Sequence, residues 1–251
     1  MLGDIHRLIH TPCLPAKVIH LSTVFTIRVA AANELCHGKT MSTSQRSTMN
    51  TTDRSRPFVP PLLHTDDLPG PLSLNRLSEF GTVSKLDEFS GYWSEHATTL
   101  YGRASIVAAI APFGTVACTQ TAAWVWLGGP NFPATIDVIS TSHFRSSSAG
   151  RRIRVFKRLT LPEQIMKLGT LSITTPARTA CDLVMAPDEG SEPSAINNLV
   201  CQLMSAYEFR PNDCLQIIKE HRHHKYAAKA KDFFNAVQRE INEVTWGDGD
   251  D

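Results

Sequence analysis

From Arg103 onward the apolar positions follow two periodicities in turn. Residues 103–113, RASIVAAIAPF, are strong helix formers closed by Pro112. Residues 118–129, CTQTAAWVWLGG, set Ala122 with Trp126 and Ala123 with Leu127 one helical turn apart. Thr119 is the expected cap of this helix and Gly128-Gly129 its stop. The period then changes to two. Thr135–Ile139 alternates Ile136 and Val138 against Thr135 and Asp137. Arg151–Leu159 predicts a strand with Ile153, Val155 and Leu159 inward and Arg152, Arg154, Phe156 and Arg158 outward. Leu171 and Ile173 mark a third short strand. Thr175 and Pro176 then begin a helix, as N-cap and first turn, with an apolar stripe of Ala177, Ala180, Cys181 and Val184. A loop over 187–193 leads to two or three further helices across 194–208 and 212–240, and the tail from Gly247 frays.

Upstream the pattern is weaker. Residues 81–93, GTVSKLDEFSGYW, alternate between two glycines and predict a small hairpin. Residues 41–72 are rich in Ser, Thr and Pro without periodicity, and read as a disordered arm. The predicted class is therefore α+β, a short antiparallel sheet packed with helices, because strands so close in sequence pair antiparallel most simply. The expected divisions are a leader and disordered arm over 1–71, the hairpin segment over 72–102, and an α/β domain over 103–245. For residues 1–40 three readings stand: a poorly matched secretory signal, an acid-poor amphipathic leader, or a stretch ahead of a start at Met41 or Met49.

Charge adds a local feature. With 25 basic and 24 acidic residues the chain has no global pull on nucleic acid or anionic membrane. Yet no acid occurs between Asp137 and Glu163, whereas Arg145, Arg151, Arg152, Arg154, Lys157 and Arg158 do. Guanidinium groups interleaved with Phe156 suit phosphate contact and base stacking, and equally the solvated face of a sheet. Arg178 and Asp182, four apart, form either a binding pair or an intrahelical ion pair worth a few tenths of a kcal/mol if exposed. His221, His223 and His224 read as a solvated basic helix face, since neighbouring imidazoles diverge on a helix. Trp124 and Trp126 read as core. The six cysteines lack C-x-x-C spacing and read as reduced thiols, in keeping with a cytoplasmic protein. No run is apolar enough to span a bilayer. Phosphate-loop, nucleophile-elbow, zinc-helix and dinucleotide-binding motifs are all missing, so no catalytic residue, metal ligand or cofactor is assigned.

Four segments in order, VACTQTAAWVWLG, ATIDVIS, RRIRVFKRL and LSITTPARTACDLV, resemble the AbiEi family of type IV antitoxins in its actinobacterial form. The most specific is the T-[ST]-P-A-R-T-x-x-D-L segment, here Thr174, Thr175, Pro176, Ala177, Arg178, Thr179, Ala180, Cys181, Asp182 and Leu183. The resemblance implies a winged-helix part that binds promoter DNA and an α/β domain that opposes a nucleotidyltransferase-like toxin, with no enzymatic activity. It makes residues 81–93 a wing, with Gly81, Val83, Leu86, Gly91 and Tyr92 in family-like places. The wing carries Asp87 and Glu88 where the family is basic, and the prolines of residues 57–80 oppose a full trihelical unit, so the DNA-reading half reads as degenerate. The leading reading is a non-enzymatic antitoxin-like regulator. An interaction module that has lost DNA binding, and a nuclease-related enzyme with an unfamiliar site, are the alternatives.

Overall fold

The computed structural model describes residues 59–70, 72–142, 150–187 and 193–247. The expected leader and arm up to residue 58, and Arg145, lie outside the described residues.

A small antiparallel sheet comes first. Strand β1 (Leu62–His64) leads through a 3-10 turn to helix α1 (Ser73–Glu79), then β2 (Val83–Lys85) and β3 (Ser90–Trp93), in the order β1-β3-β2. The hairpin predicted over 81–93 is present. Its turn is made by Asp87, whose carboxylate accepts from the backbone N–H of Phe89 at 2.8 Å and of Ser90 at 2.6 Å, and from the Ser90 hydroxyl at 2.8 Å. The expectation of disorder through residue 71 is corrected, because Leu62 and Leu63 occupy the open edge of β3. Three residues are too few to register as alternation. Leu63, Val83 and Leu74 form a separate small core. A Cβ on Gly91 would lie 2.6 Å from Val83 Cγ1 and 2.9 Å from the Ser84 carbonyl oxygen, so glycine there is what lets β2 lie so close against β3. On the other face Tyr92 meets Trp124 and Phe132, both with ring centroids 5.9 Å away, and joins the main core.

The main sheet has the order β6-β5-β4-β8-β7. Its strands are β4 (Val116–Ala117), β5 (Thr135–Ile139), β6 (Arg152–Phe156), β7 (Ile165–Leu168) and β8 (Leu171–Thr174). β4 pairs antiparallel with β5 and β7 with β8, but β5 runs parallel to β6 and β4 parallel to β8. The antiparallel expectation is thus corrected to a mixed sheet. The stretch 140–151 is long enough for a crossover, so nearness in sequence does not force a tight turn.

Helices α2 (Leu100–Ile110), α3 (Thr119–Leu127), α4 (Pro176–Val184), α5 (Pro193–Tyr207), α6 (Pro211–Glu220) and α7 (Ala227–Gly247) complete the fold. Thr175 caps α4 with Pro176 in its first turn, as predicted. α3 differs from expectation: its cap is Cys118, and Thr119 is its first residue, at a φ of 43°. Arg103, predicted only as a helix residue, is buried and ends α3, donating to the carbonyls of Val125 at 2.8 Å and Trp126 at 3.2 Å. Tyr207 of α5 donates to the same Trp126 carbonyl at 2.8 Å. Both tryptophans are core, as expected. α7 packs through Ala230, Phe234 and Val237, three and four residues apart, toward Cys214 and Ile218 of α6. Cys118, Cys181 and Cys214 are buried free thiols, in line with the reading of these three as packed, reduced side chains. Among the described residues no helix is long and apolar enough to cross a membrane.

Candidate functional site

The basic strand does not present an open row of charges. Arg152 and Lys157 are exposed and Arg151 is half-buried. Arg154 and Arg158 do share a face with Phe156, as the alternation requires, and their guanidinium carbons stand 5.1 and 4.6 Å from its ring centroid. Both, however, turn to buried carboxylates, so the reading of these two as free contact residues is corrected.

The first centre is Asp137. Register places it directly across from Arg154. Arg154 Nε and Nη2 each donate to it at 2.8 Å, a two-pronged charge-assisted contact. Thr135 donates at 2.9 Å and Thr119 donates to the other oxygen. The Asp137 N–H is received by the Thr121 hydroxyl at 2.8 Å, which stitches the start of α3 to β5. A positive φ is costly for a β-branched threonine, and the Thr119–Asp137 bond accompanies that conformation. The sequence signal was an aspartate set between Ile136 and Val138; its position was read, its burial was not.

The second centre is Asp182 of the α4 motif. The expected Arg178–Asp182 pair exists, Nε to Oδ1 at 3.0 Å, but both side chains are 0% exposed rather than solvated. Arg158, 3% exposed, reaches the same oxygen at 2.5 Å and the Met185 carbonyl at 3.0 Å. Arg178 also donates to the carbonyl of Leu159 at 3.3 Å, to Gln164 Oε1, and to His221 Nε2 at 2.7 Å. Gln164 in turn donates to Glu220 at 2.5 Å. One carboxylate thus joins the end of the basic strand, the turn before β7, α4 and the end of α6. Thr179, the other polar motif residue inside α4, shares a hydrogen bond of 2.8 Å with the Thr174 hydroxyl. Leu159, predicted inward, is 61% exposed; past the strand's end the alternation no longer governs, and Arg158 turns in instead.

The histidine cluster divides. His223 is exposed and His224 half-buried, while His221 is buried against Arg178. Burial first, then the Arg178 charge, lowers the His221 pKa to about 4. It is therefore a neutral acceptor at pH 7, which suits its bond from Arg178. His224 is also lowered, by burial and then by Arg158. Beside this centre lies a cleft of about 220 Å³, lined by Lys157, Arg158, Leu159, Glu220, His221 and His224 among others. Arg158 Nε and Asp182 Oδ2 are buried with no hydrogen-bond partner among the described residues. The thiols near the centre are not poised nucleophiles: burial, then the Asp182 and Asp137 charges, pushes Cys118 well above the ordinary range. Among the described residues no three His, Cys, Asp or Glu side chains are grouped to hold a metal ion. No family model matches the chain, and no curated protein matches it.

Proposed function

We propose that this chain is a non-enzymatic, antitoxin-like regulator of the AbiEi type, acting through contact with promoter DNA, with a nucleotidyltransferase-like toxin, or with both. The observation that carries this reading is the convergence of motif residues Arg178 and Asp182 with Arg158 of the basic strand in one buried centre. Two of the segments that carry the resemblance thus meet within one domain, which supports the reading. A second support is local. Helix α1 leads straight into the β2–β3 hairpin with β1 on its far edge, the arrangement a reduced winged-helix unit needs. The outward contact surface then falls to Arg152 and Lys157, with Arg151 beside them.

The test is binding of the chain to duplex DNA from its own upstream region, titrated against salt and against random DNA. Selective binding is expected. Replacing Arg152 and Lys157 together with Ala lowers affinity about 10-fold and reduces the salt slope by roughly 2, one for each phosphate contact. Absent or non-selective binding sinks the DNA half of the reading.

One observation favours the interaction-module alternative. The hairpin turn is not free to enter a groove. A Cβ on Gly150, whose φ is +67°, would lie 2.5 Å from Asp87 Cβ, so the tip rests against the start of β6. With Asp87 and exposed Glu88 at that tip, the wing is a poor phosphate ligand, and a chain that binds only its toxin partner would look like this.

A further inference from the structure

The Asp182 centre is unbalanced. One buried carboxylate faces two nearly inaccessible guanidinium groups, Arg158 and Arg178. His221 adds no compensating charge, since burial and the Arg178 charge keep it neutral at pH 7; its Nε2 stands 2.7 Å from Arg178 Nη1 and 2.9 Å from Gln164 Oε1. Excess charge away from water is costly unless a counter-charge reaches it. Glu220 supplies part of one from the cleft rim, but its carboxylate is exposed and is tied to Gln164 rather than to either arginine. The cleft is also lined by exposed Lys157. Three cations, Lys157, Arg158 and Arg178, therefore border the cleft against one lining carboxylate, Glu220, while Asp182 is engaged by the two arginines without lining the cleft itself. Arg158 Nε is an unspent buried donor. The volume of about 220 Å³ holds roughly seven waters at ~30 Å³ each, enough for a phosphoryl group.

We infer that this cleft binds a phosphoryl anion, drawn in by the uncompensated Arg158–Arg178 charge and held at the mouth by Lys157 and His224. Such a group could belong to a small phosphomonoester or to a nucleic-acid backbone, and the chemistry at the cleft is the same. The inference does not rest on the regulator reading, because a free phosphomonoester fills the cleft without DNA.

The experiment follows the ring proton resonances of His221, His223 and His224 in the full chain while inorganic phosphate is added against chloride at matched ionic strength. A saturable shift, largest at His224, is expected. Lys157→Gln, an exposed change that leaves the fold intact, should weaken saturation about 3-fold, as loss of one rim charge does. No saturable shift beyond that with chloride, or identical saturation in K157Q, overturns the inference. Two competitors then identify the source: displacement of phosphate by upstream duplex DNA supports a backbone phosphate, and displacement by a 5′-mononucleotide alone supports a small phosphomonoester. If DNA fails to bind at all, the phosphate titration still decides the cleft.

Discussion

Asp137 and Asp182 each take an arginine that packs on the ring of Phe156, yet they are different kinds of centre. At Asp137 one carboxylate meets one guanidinium two-pronged, threonine hydroxyls take the remaining lone pairs, and Arg154 is still 21% exposed. Charge and hydrogen bonds both close. At Asp182 one carboxylate meets two guanidinium groups, one of its oxygens has no partner among the described residues, and a cleft opens beside it. A buried ion pair that satisfies itself within one layer is fold. One that leaves excess charge next to open space is a place where a ligand can bind.

Removal of each carboxylate should separate the two most widely. Asp182→Ala leaves two guanidinium groups buried without a counter-ion and is expected to cost about 3–5 kcal/mol. Asp137→Ala is expected to cost less, roughly 1–3 kcal/mol, because Arg154 can turn to solvent and only the hydroxyls lose an acceptor. Urea unfolding of both variants measures this, and equal losses would erase the distinction drawn between the centres.

Acid should probe the same difference more gently. His221 takes up its proton near pH 4 when folded and near 6.5 when unfolded. Between those values the unfolded chain binds more protons, so stability rises with pH there and is lost as pH falls from about 6.5 toward 4. Unfolding midpoints at pH 7 and pH 5 should differ in the wild type, and the difference should shrink in His221→Gln. The Asp137 centre has no imidazole, so an unchanged slope in that variant would place the pH dependence elsewhere.

The smallest effect is expected at the cleft rim. Glu220→Gln removes an exposed charge and weakens the hold on Gln164, costing under ~1 kcal/mol in unfolding free energy. The same change leaves the cleft more positive and should tighten phosphate binding about 2-fold. Weaker phosphate binding in E220Q would mean that the rim acid helps the ligand rather than opposing it.

Much of the local structure was legible in the chain. Thr175-Pro176 marked the start of α4, the glycines at 81 and 91 framed the hairpin, and alternation set Arg154, Phe156 and Arg158 on one face. Gln164, Asp137 and the inward turn of His221 were not legible as site residues. Each acquires its role from a partner far away in sequence: Gln164 from Arg178 and Glu220, Asp137 from Arg154, His221 from Arg178. Strand direction was equally hidden, because β4 gathers β5 antiparallel on one side and β8 parallel on the other.

Periodicity, caps and turn residues act over a few neighbours, through backbone sterics and short-range hydrogen bonds, so the sequence by itself determined the elements and which side chains share a face. It also determined that Arg178 and Asp182 would meet, since four residues make one helical turn. Whether that pair was solvated or sealed was decided only when Arg158, Leu159, Gln164 and His221 closed over it from other elements. Burial changes the energetics of a charge by far more than sequence spacing does, because the cost of losing water depends on what fills the space around the ion. The tertiary structure thus turned a surface-type ion pair into a buried, charge-excess centre beside a cleft.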